Sequence, residues 1–243
     1  MVFSLFAVSL ITAFSFWATR QPAEDARGAF SAPPRAGAKL EMLSTGITTA
    51  VNVTPSPDAQ WLIRAAAQTG IPARPLRAYV AAAAVANDSA PMCGIGWNTL
   101  AAVGSVESAH GTYGGGSLNA AGQASGPLVG PSLDGNGFAA IADTDAGALD
   151  GDARWDHAVG PMQFIPSTWQ LVARDGNGDG TADPFNIDDA ALSAATYLCA
   201  NGRDLTTAQG WTNAIYAYNQ SDPYIRQVLA QATAYAAEAG TAE

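Results

Sequence analysis

From residue 113 to residue 154 the chain holds ten of its 25 glycines and almost no hydrophobic periodicity, whereas the segments on either side are alanine-rich and periodic. An irregular stretch of that length inside a compact domain is either functional or disordered. The flanking alanine runs, such as 81–84, favour helix because alanine loses no side-chain entropy there. Strand-like alternation is scarce. The expected class is therefore mainly α, interrupted by a long Gly-rich loop. With 243 residues, 48% of them hydrophobic, the chain can bury one sizeable core, and one large domain is expected.

Hydrophobic spacing and turn residues place the helices. Residues 58–68 and 73–87 read as helical, with Gly70 and Pro72 between them; Trp61, Leu62 and Ile63, then Leu76, Tyr79 and Val80, are the core candidates. Residues 98–110 form the next helix, with Leu100, Val103 and Glu107 on one face and Gly111 available to end it. Short helices are predicted over 167–174, after Pro166, and over 188–200, closed by Asn201 and Gly202. Residues 207–218 follow, with Trp211, Ile215 and Tyr218 in line. Asp222 and Pro223 make an N-cap and first-turn pair for a last helix to residue 237.

Residues 2–18 form an apolar run containing Phe3, Leu5, Phe6, Val8, Leu10, Ile11, Phe14, Phe16 and Trp17. It reads as an export signal or a single anchor over 1–19. Residues 20–56, rich in Ala, Pro, Gly, Ser and Thr, read as a flexible linker, and 57–243 as the folded domain. Export makes a Cys93–Cys199 disulfide the expected state, whereas without it two buried thiols are expected. A net charge of −10, with only 11 Lys and Arg, offers no basic groove for nucleic acid. An anionic substrate would have to be held by hydrogen bonds and stacking.

Glu107 stands out among the carboxyl groups. It shares a helix face with apolar residues, so desolvation should raise its pKa, and its place in a last helical turn pushes the same way. A carboxyl that is protonated near neutral pH is what a general acid needs to protonate a glycosidic oxygen. Position alone does not separate that role from an ordinary solvated glutamate. His110 and His157 lack metal spacing.

Three ordered blocks add the missing weight: Glu107-Ser108; Gly160-Pro161-Met162-Gln163-Phe164-Ile165-Pro166-Ser167-Thr168-Trp169; and Ala217-Tyr218-Asn219. Together they resemble the motifs of lysozyme-like lytic transglycosylases over roughly residues 57–237. The middle block, followed by Asp175-Gly176-Asn177-Gly178-Asp179-Gly180 and Asp188-Asp189-Ala190, is most similar to the membrane-bound lytic murein transglycosylase B family. The resemblance implies a lysozyme-like helical domain, with a helical buttress over 57–90 packed on a catalytic core over 91–237. It implies a monomeric, exported enzyme acting on peptidoglycan glycan strands, touching the membrane only through its N-terminal segment.

Glu107 would be the single catalytic group, first acid and then base, as the muramyl 6-hydroxyl closes a 1,6-anhydro ring. No cofactor is required for that. Ser108, Met162, Gln163, Phe164, Tyr218 and Asn219 would bind substrate. Gln163 can both donate to and accept from an N-acetyl group, and Met162 and Phe164 would face either a sugar or the core. Tyr218 and Asn219 also read as core and helix cap. Glycoside hydrolysis would instead need a second carboxylate, and Asp134, Asp143, Asp145, Asp150, Asp152 and Asp156 supply candidates. A non-catalytic wall-binding protein is the third reading.

Asp175, Asn177 and Asp179 have the 1, 3, 5 spacing of a calcium loop, with the Thr181 carbonyl at position 7. Position 12 is Asn186 rather than Glu, so Asp183, Asp188 or Asp189 would have to complete a structural Ca2+ site. The other reading is an Asp/Asn/Gly turn that satisfies its own backbone.

Overall fold

A computed structural model describes residues 30–41, 55–126, 128–137 and 139–240. The apolar run 2–18 and most of the linker lie outside the described residues. Seven α-helices occur among the described residues: α1 (Ala59–Thr69), α2 (Ala73–Ser89), α3 (Trp97–Ser108), α4 (Pro166–Val172), α5 (Ile187–Leu198), α6 (Ala208–Tyr218) and α7 (Asp222–Ala239). Three two-stranded antiparallel pieces accompany them: β1 (Leu40–Glu41) with β2 (Ser56–Pro57), β3 (Ser117–Leu118) with β4 (Ala124–Ser125), and β5 (Val129–Ser132) with β6 (His157–Val159). The class is mainly α, as expected.

Local chemistry starts the helices. Asp58 caps α1 by accepting from the Trp61 N–H at 2.6 Å, and Asn186 caps α5 by accepting from the Asp188 N–H at 3.0 Å. The N-cap of α7 is Ser221 rather than Asp222, because Ser221 has the extended backbone of a cap and its side chain accepts from the Tyr224 N–H. α3 likewise ends at Ser108, two residues short of the expected His110. Ala109, His110 and Gly111 all take positive φ values of 50°, 61° and 84° and turn the chain away.

α2 lies on α5 and α7 on α3, with α2 also against α3. α3 is therefore buried on every side over its first two turns, from Trp97 to Gly104, rather than along one face. Small residues allow that. A Cβ on Gly104 would overlap the Tyr79 hydroxyl and press on the Met162 sulfur, so only glycine lets α2 and the 160–164 turn close on α3. Only the last turn, where Ser105, Val106 and Glu107 are half-buried, emerges from the core.

Two expectations change. Ile63 is 61% exposed, and Ala65 is the buried residue of α1. α1 approaches its neighbours through Trp61, which meets Trp97 edge-on at 5.9 Å, and this turns Ile63 outward. Within the stretch read as linker, residues 30–41 lie against the helices. The buried Asn98 amide donates to the Pro34 and Ala232 carbonyls, each at 2.9 Å, and accepts from the Ala36 N–H at 3.2 Å. Trp97 Nε1 donates to the Gly37 carbonyl at 3.1 Å. Polar groups in helix α3 thus recruit a segment whose composition alone reads as tether. Cys93 and Cys199 are disulfide-bonded, joining the loop before α3 to the end of α5.

Candidate active site

Glu107 sits at the open end of the buried helix, partly covered. Burial raises its carboxyl from the usual 4.5 to about 7, and the hydrogen bond from the Tyr224 hydroxyl to Oε1, at 2.5 Å, holds it from rising further. The group is thus balanced between acid and base near neutral pH. Tyr224 was not singled out by sequence reasoning. Its place follows from the Ser221 cap and Pro223 in the first turn of α7, which fix it one turn into a helix that crosses α3. Burial, and then the Glu107 charge, push the Tyr224 phenol up, so it remains a proton donor to the carboxylate.

Ser108 ties the helix of Glu107 to the 160–169 block. Its hydroxyl donates to the Pro161 carbonyl at 2.6 Å and accepts from the Gly111 N–H at 2.7 Å. That turn is compact because Gly160, at φ 76°, presses on the Pro184 carbonyl, where a Cβ would collide. Met162 is wholly buried and its carbonyl accepts from the Tyr218 hydroxyl at 2.7 Å. Phe164 is also buried, 5.4 Å from the Trp169 ring and 6.0 Å from the Tyr218 ring. Both side chains therefore pack the core beneath the site. Asn219 is buried at the C-cap of α6. Glu107-Ser108, the Pro161-to-Phe164 turn and Tyr218 thus converge, although they lie far apart in sequence.

Gln163 takes a left-handed φ of 50°, and its Nε2 donates to the Gly160 carbonyl at 2.9 Å and the Leu128 carbonyl at 3.4 Å. With both bonds on backbone, the amide is held in one orientation, partly exposed, and its Oε1 lies beside Gly130. The long loop is wound rather than loose. Asp134 accepts from the Asn136 N–H, Asp143 from Asp145 and Gly147, Asp145 from Ala148 and Leu149, Asp150 from Asp152 and His157, and Asp152 from Arg154. Asp156, fully buried, accepts from the N–H and the hydroxyl of Thr144. Five of these aspartates therefore serve as turn-forming acceptors, whereas Asp156 ties the loop across to Thr144. Carboxylate oxygens of Asp143, Asp145 and Asp156 fall within 4.8 Å of one another.

The 175–183 segment is an Asx-turn cascade. Asp175 accepts from the N–H groups of Gly178 and Gly180, Asn177 from Asp179, and Asp179 from Thr181. Asp183 accepts from the Phe185 N–H and from Gln123 Nε2. Of the three carboxylates that could complete a metal shell, Asp188 pairs with Arg74, whereas the fully buried Asp189 points under the loop. Asp189 accepts from the N–H groups of Gly176, Asn177 and Asp183, and burial still raises its carboxyl. Asp175, Asn177, Asp179 and Asp189 carry the type of oxygen donor that a hard cation takes, and here each accepts from N–H groups of its own loop.

Comparison with known proteins adds a family. Residues 138–212 match the family described as Transglycosylase SLT domain. That span contains the 160–169 block and lies between Glu107 and Tyr224, so those two residues rest on geometry. No curated protein matches the chain. Solved structures similar to it include Escherichia coli lytic transglycosylase SLT35 in complex with calcium, at 15% identity over 74% of this chain and 75% of that one, with a TM-score of 0.46. The same E. coli enzyme in complex with bulgecin A is similar at 14% identity over 74% and 75%, with a TM-score of 0.43. A 36 kDa muramidase/transglycosylase shows 15% identity over 74% and 76%, with a TM-score of 0.46. Residues 138–212 are thus similar to the transglycosylase SLT domain family, toward which the 160–169 block pointed.

Proposed function

We propose that this chain is a lytic transglycosylase that cleaves the β-1,4 bond between MurNAc and GlcNAc in peptidoglycan. The observation that carries this reading is Glu107, a carboxyl raised to about 7 beside the 160–169 block and held by Tyr224. Protonated Glu107 donates its proton to the glycosidic oxygen as the C1–O bond breaks and GlcNAc leaves. The resulting carboxylate takes the proton of the muramyl 6-hydroxyl as that oxygen bonds to C1, giving a 1,6-anhydroMurNAc end and restoring the acid. No water is consumed and one carboxyl suffices. The engagement of all six loop aspartates by hydrogen bonds within the loop supports a single-carboxyl mechanism over hydrolysis.

Gln163 would present its fixed amide to an acetamido group, with Tyr218 and Asn219 closing the site. The 175–189 stretch would hold a structural Ca2+ through Asp175, Asn177, Asp179, the Thr181 carbonyl and Asp189, with Asp183 supporting the loop. The ion would draw these loop carboxylates together and brace the α4–α5 connection. That acidic stretch also favours the membrane-bound lytic murein transglycosylase B branch of the family. The Cys93–Cys199 bond supports export, since such bonds persist in oxidising compartments. Digestion of purified peptidoglycan by wild type and Glu107→Gln, with mass analysis of the new chain ends, tests the activity. Anhydro-muramyl ends from wild type alone are expected. Reducing ends would establish a hydrolase instead, and undiminished cleavage by Glu107→Gln would overturn the role of Glu107.

A further inference from the structure

Three residues after Glu107, His110 is buried, and both of its ring nitrogens are engaged. Nδ1 lies 3.2 Å from the Tyr79 hydroxyl on α2, and Nε2 lies 3.0 Å from the Tyr235 hydroxyl on α7. Burial lowers its pKa to about 4, so the ring is neutral near neutral pH. A neutral imidazole has one donor and one acceptor nitrogen. One tyrosine must therefore donate to it and the other accept, which gives the bridge a direction.

The turn that His110 anchors is strained. Ala109 and His110 are non-glycine residues in the left-handed region, followed at once by Gly111. Such a run persists only where the surroundings over-determine it. Here the His110 N–H donates to the Gly104 carbonyl at 2.9 Å, the Gly111 N–H to Ser108 Oγ at 2.7 Å, and Ser108 Oγ to Pro161. The same α7 carries Tyr224, three turns before Tyr235 and so on the same face. One helix thus grips the acid's oxygen at one point and the turn behind the acid at another.

We propose that His110 is a positioning residue for Glu107: its imidazole, bridging Tyr79 and Tyr235, holds the left-handed turn that ends α3 and with it the direction of the Glu107 carboxyl. The inference rests on Glu107 being the catalytic acid. It predicts that loosening the bridge lets water reach the carboxyl and misdirects it, without altering the sugar-binding surface. Misplacements of about 1 Å are enough to cost orders of magnitude in rate.

The test compares full-length wild type, Glu107→Gln, His110→Ala and His110→Gln on soluble glycan strands. In His110→Ala, kcat should fall by about tenfold or more with KM changed by less than about twofold. The basic limb of its kcat–pH profile should move to lower pH, because Glu107 gains water. In His110→Gln, whose amide supplies one donor and one acceptor, kcat should return to within about threefold of wild type. Wild-type kcat in His110→Ala, or a loss that leaves the basic limb in place, would overturn the inference while leaving Glu107 as the acid. Full activity in Glu107→Gln would overturn the functional reading and this inference together. If His110→Ala does not fold, Tyr235→Phe removes one end of the bridge, and the limb must still move down in pH for the proposal to stand.

Discussion

Replacing Glu107 by Gln should stabilise the folded protein, and by an amount that grows with pH. Burial takes the carboxyl from 4.5 to about 7, so folding favours its protonated form. The stability tied to that form is fully present below 4.5 and is lost as pH rises through 7. At about 1.4 kcal/mol per pH unit, carrying the charged form costs about 3 kcal/mol at pH 8.5 and about 1 kcal/mol at pH 5, and partial exposure of the carboxyl trims both figures. Gln matches the shape of Glu, stays neutral at every pH and keeps a carbonyl oxygen to accept from Tyr224. Urea unfolding at pH 8.5 should therefore show the variant more stable by about 2–3 kcal/mol, equivalent to about 4–12 °C in Tm for a domain of this size. At pH 5 the gain should be below about 1 kcal/mol. An equal gain at both pH values, or a loss at pH 8.5, would refute burial as the source of the raised carboxyl. The same burial that raises the Glu107 carboxyl thus works against the fold.

Tyr224→Phe removes the hydrogen bond that holds the Glu107 pKa down, so the basic limb of the kcat–pH profile should move to higher pH; a limb that stays or moves down contradicts the assignment. Asn98→Ala strands the Pro34 and Ala232 carbonyls and the Ala36 N–H, and should cost about 3 kcal/mol in chemical denaturation. A cost below 1 kcal/mol, on the order of a single weak hydrogen bond, would mean that residues 30–41 contribute little. Calcium titrated into chelator-treated protein should raise the Tm by an amount that Asp179→Ala abolishes, and a Tm indifferent to calcium would reduce the 175–189 stretch to a self-satisfied turn.

The helices were legible because their signals are local. Asp58 and Asn186 bond to N–H groups two or three residues away, and Gly70 or Gly202 needs only its own φ. Where a competing local signal existed, reading failed by a residue or two: Ser221 rather than Asp222 caps α7, and α3 ends before His110 although two non-glycine residues must then go left-handed. Ile63 faces outward and Ala65 inward because the neighbours of α1 decide which stripe it buries. Residues 30–41 have the composition of a tether, and it is the buried Asn98 that fastens them.

Glu107 could be named from its helix and from the company of the 160–169 block, and the resemblance carried by that block agrees with the SLT domain match over 138–212. What the amino-acid order alone determined was thus the helical class, most helix starts and the identity of the candidate acid. The tertiary structure decided what raises that carboxyl to about 7. Tyr224 lies 117 residues beyond Glu107, Ser108 reaches Pro161 across 53, and His110 meets Tyr235 across 125. Periodicity and capping act over a few residues, whereas desolvation and hydrogen-bond partnership depend on which helices cross, and that is set only when the whole core closes.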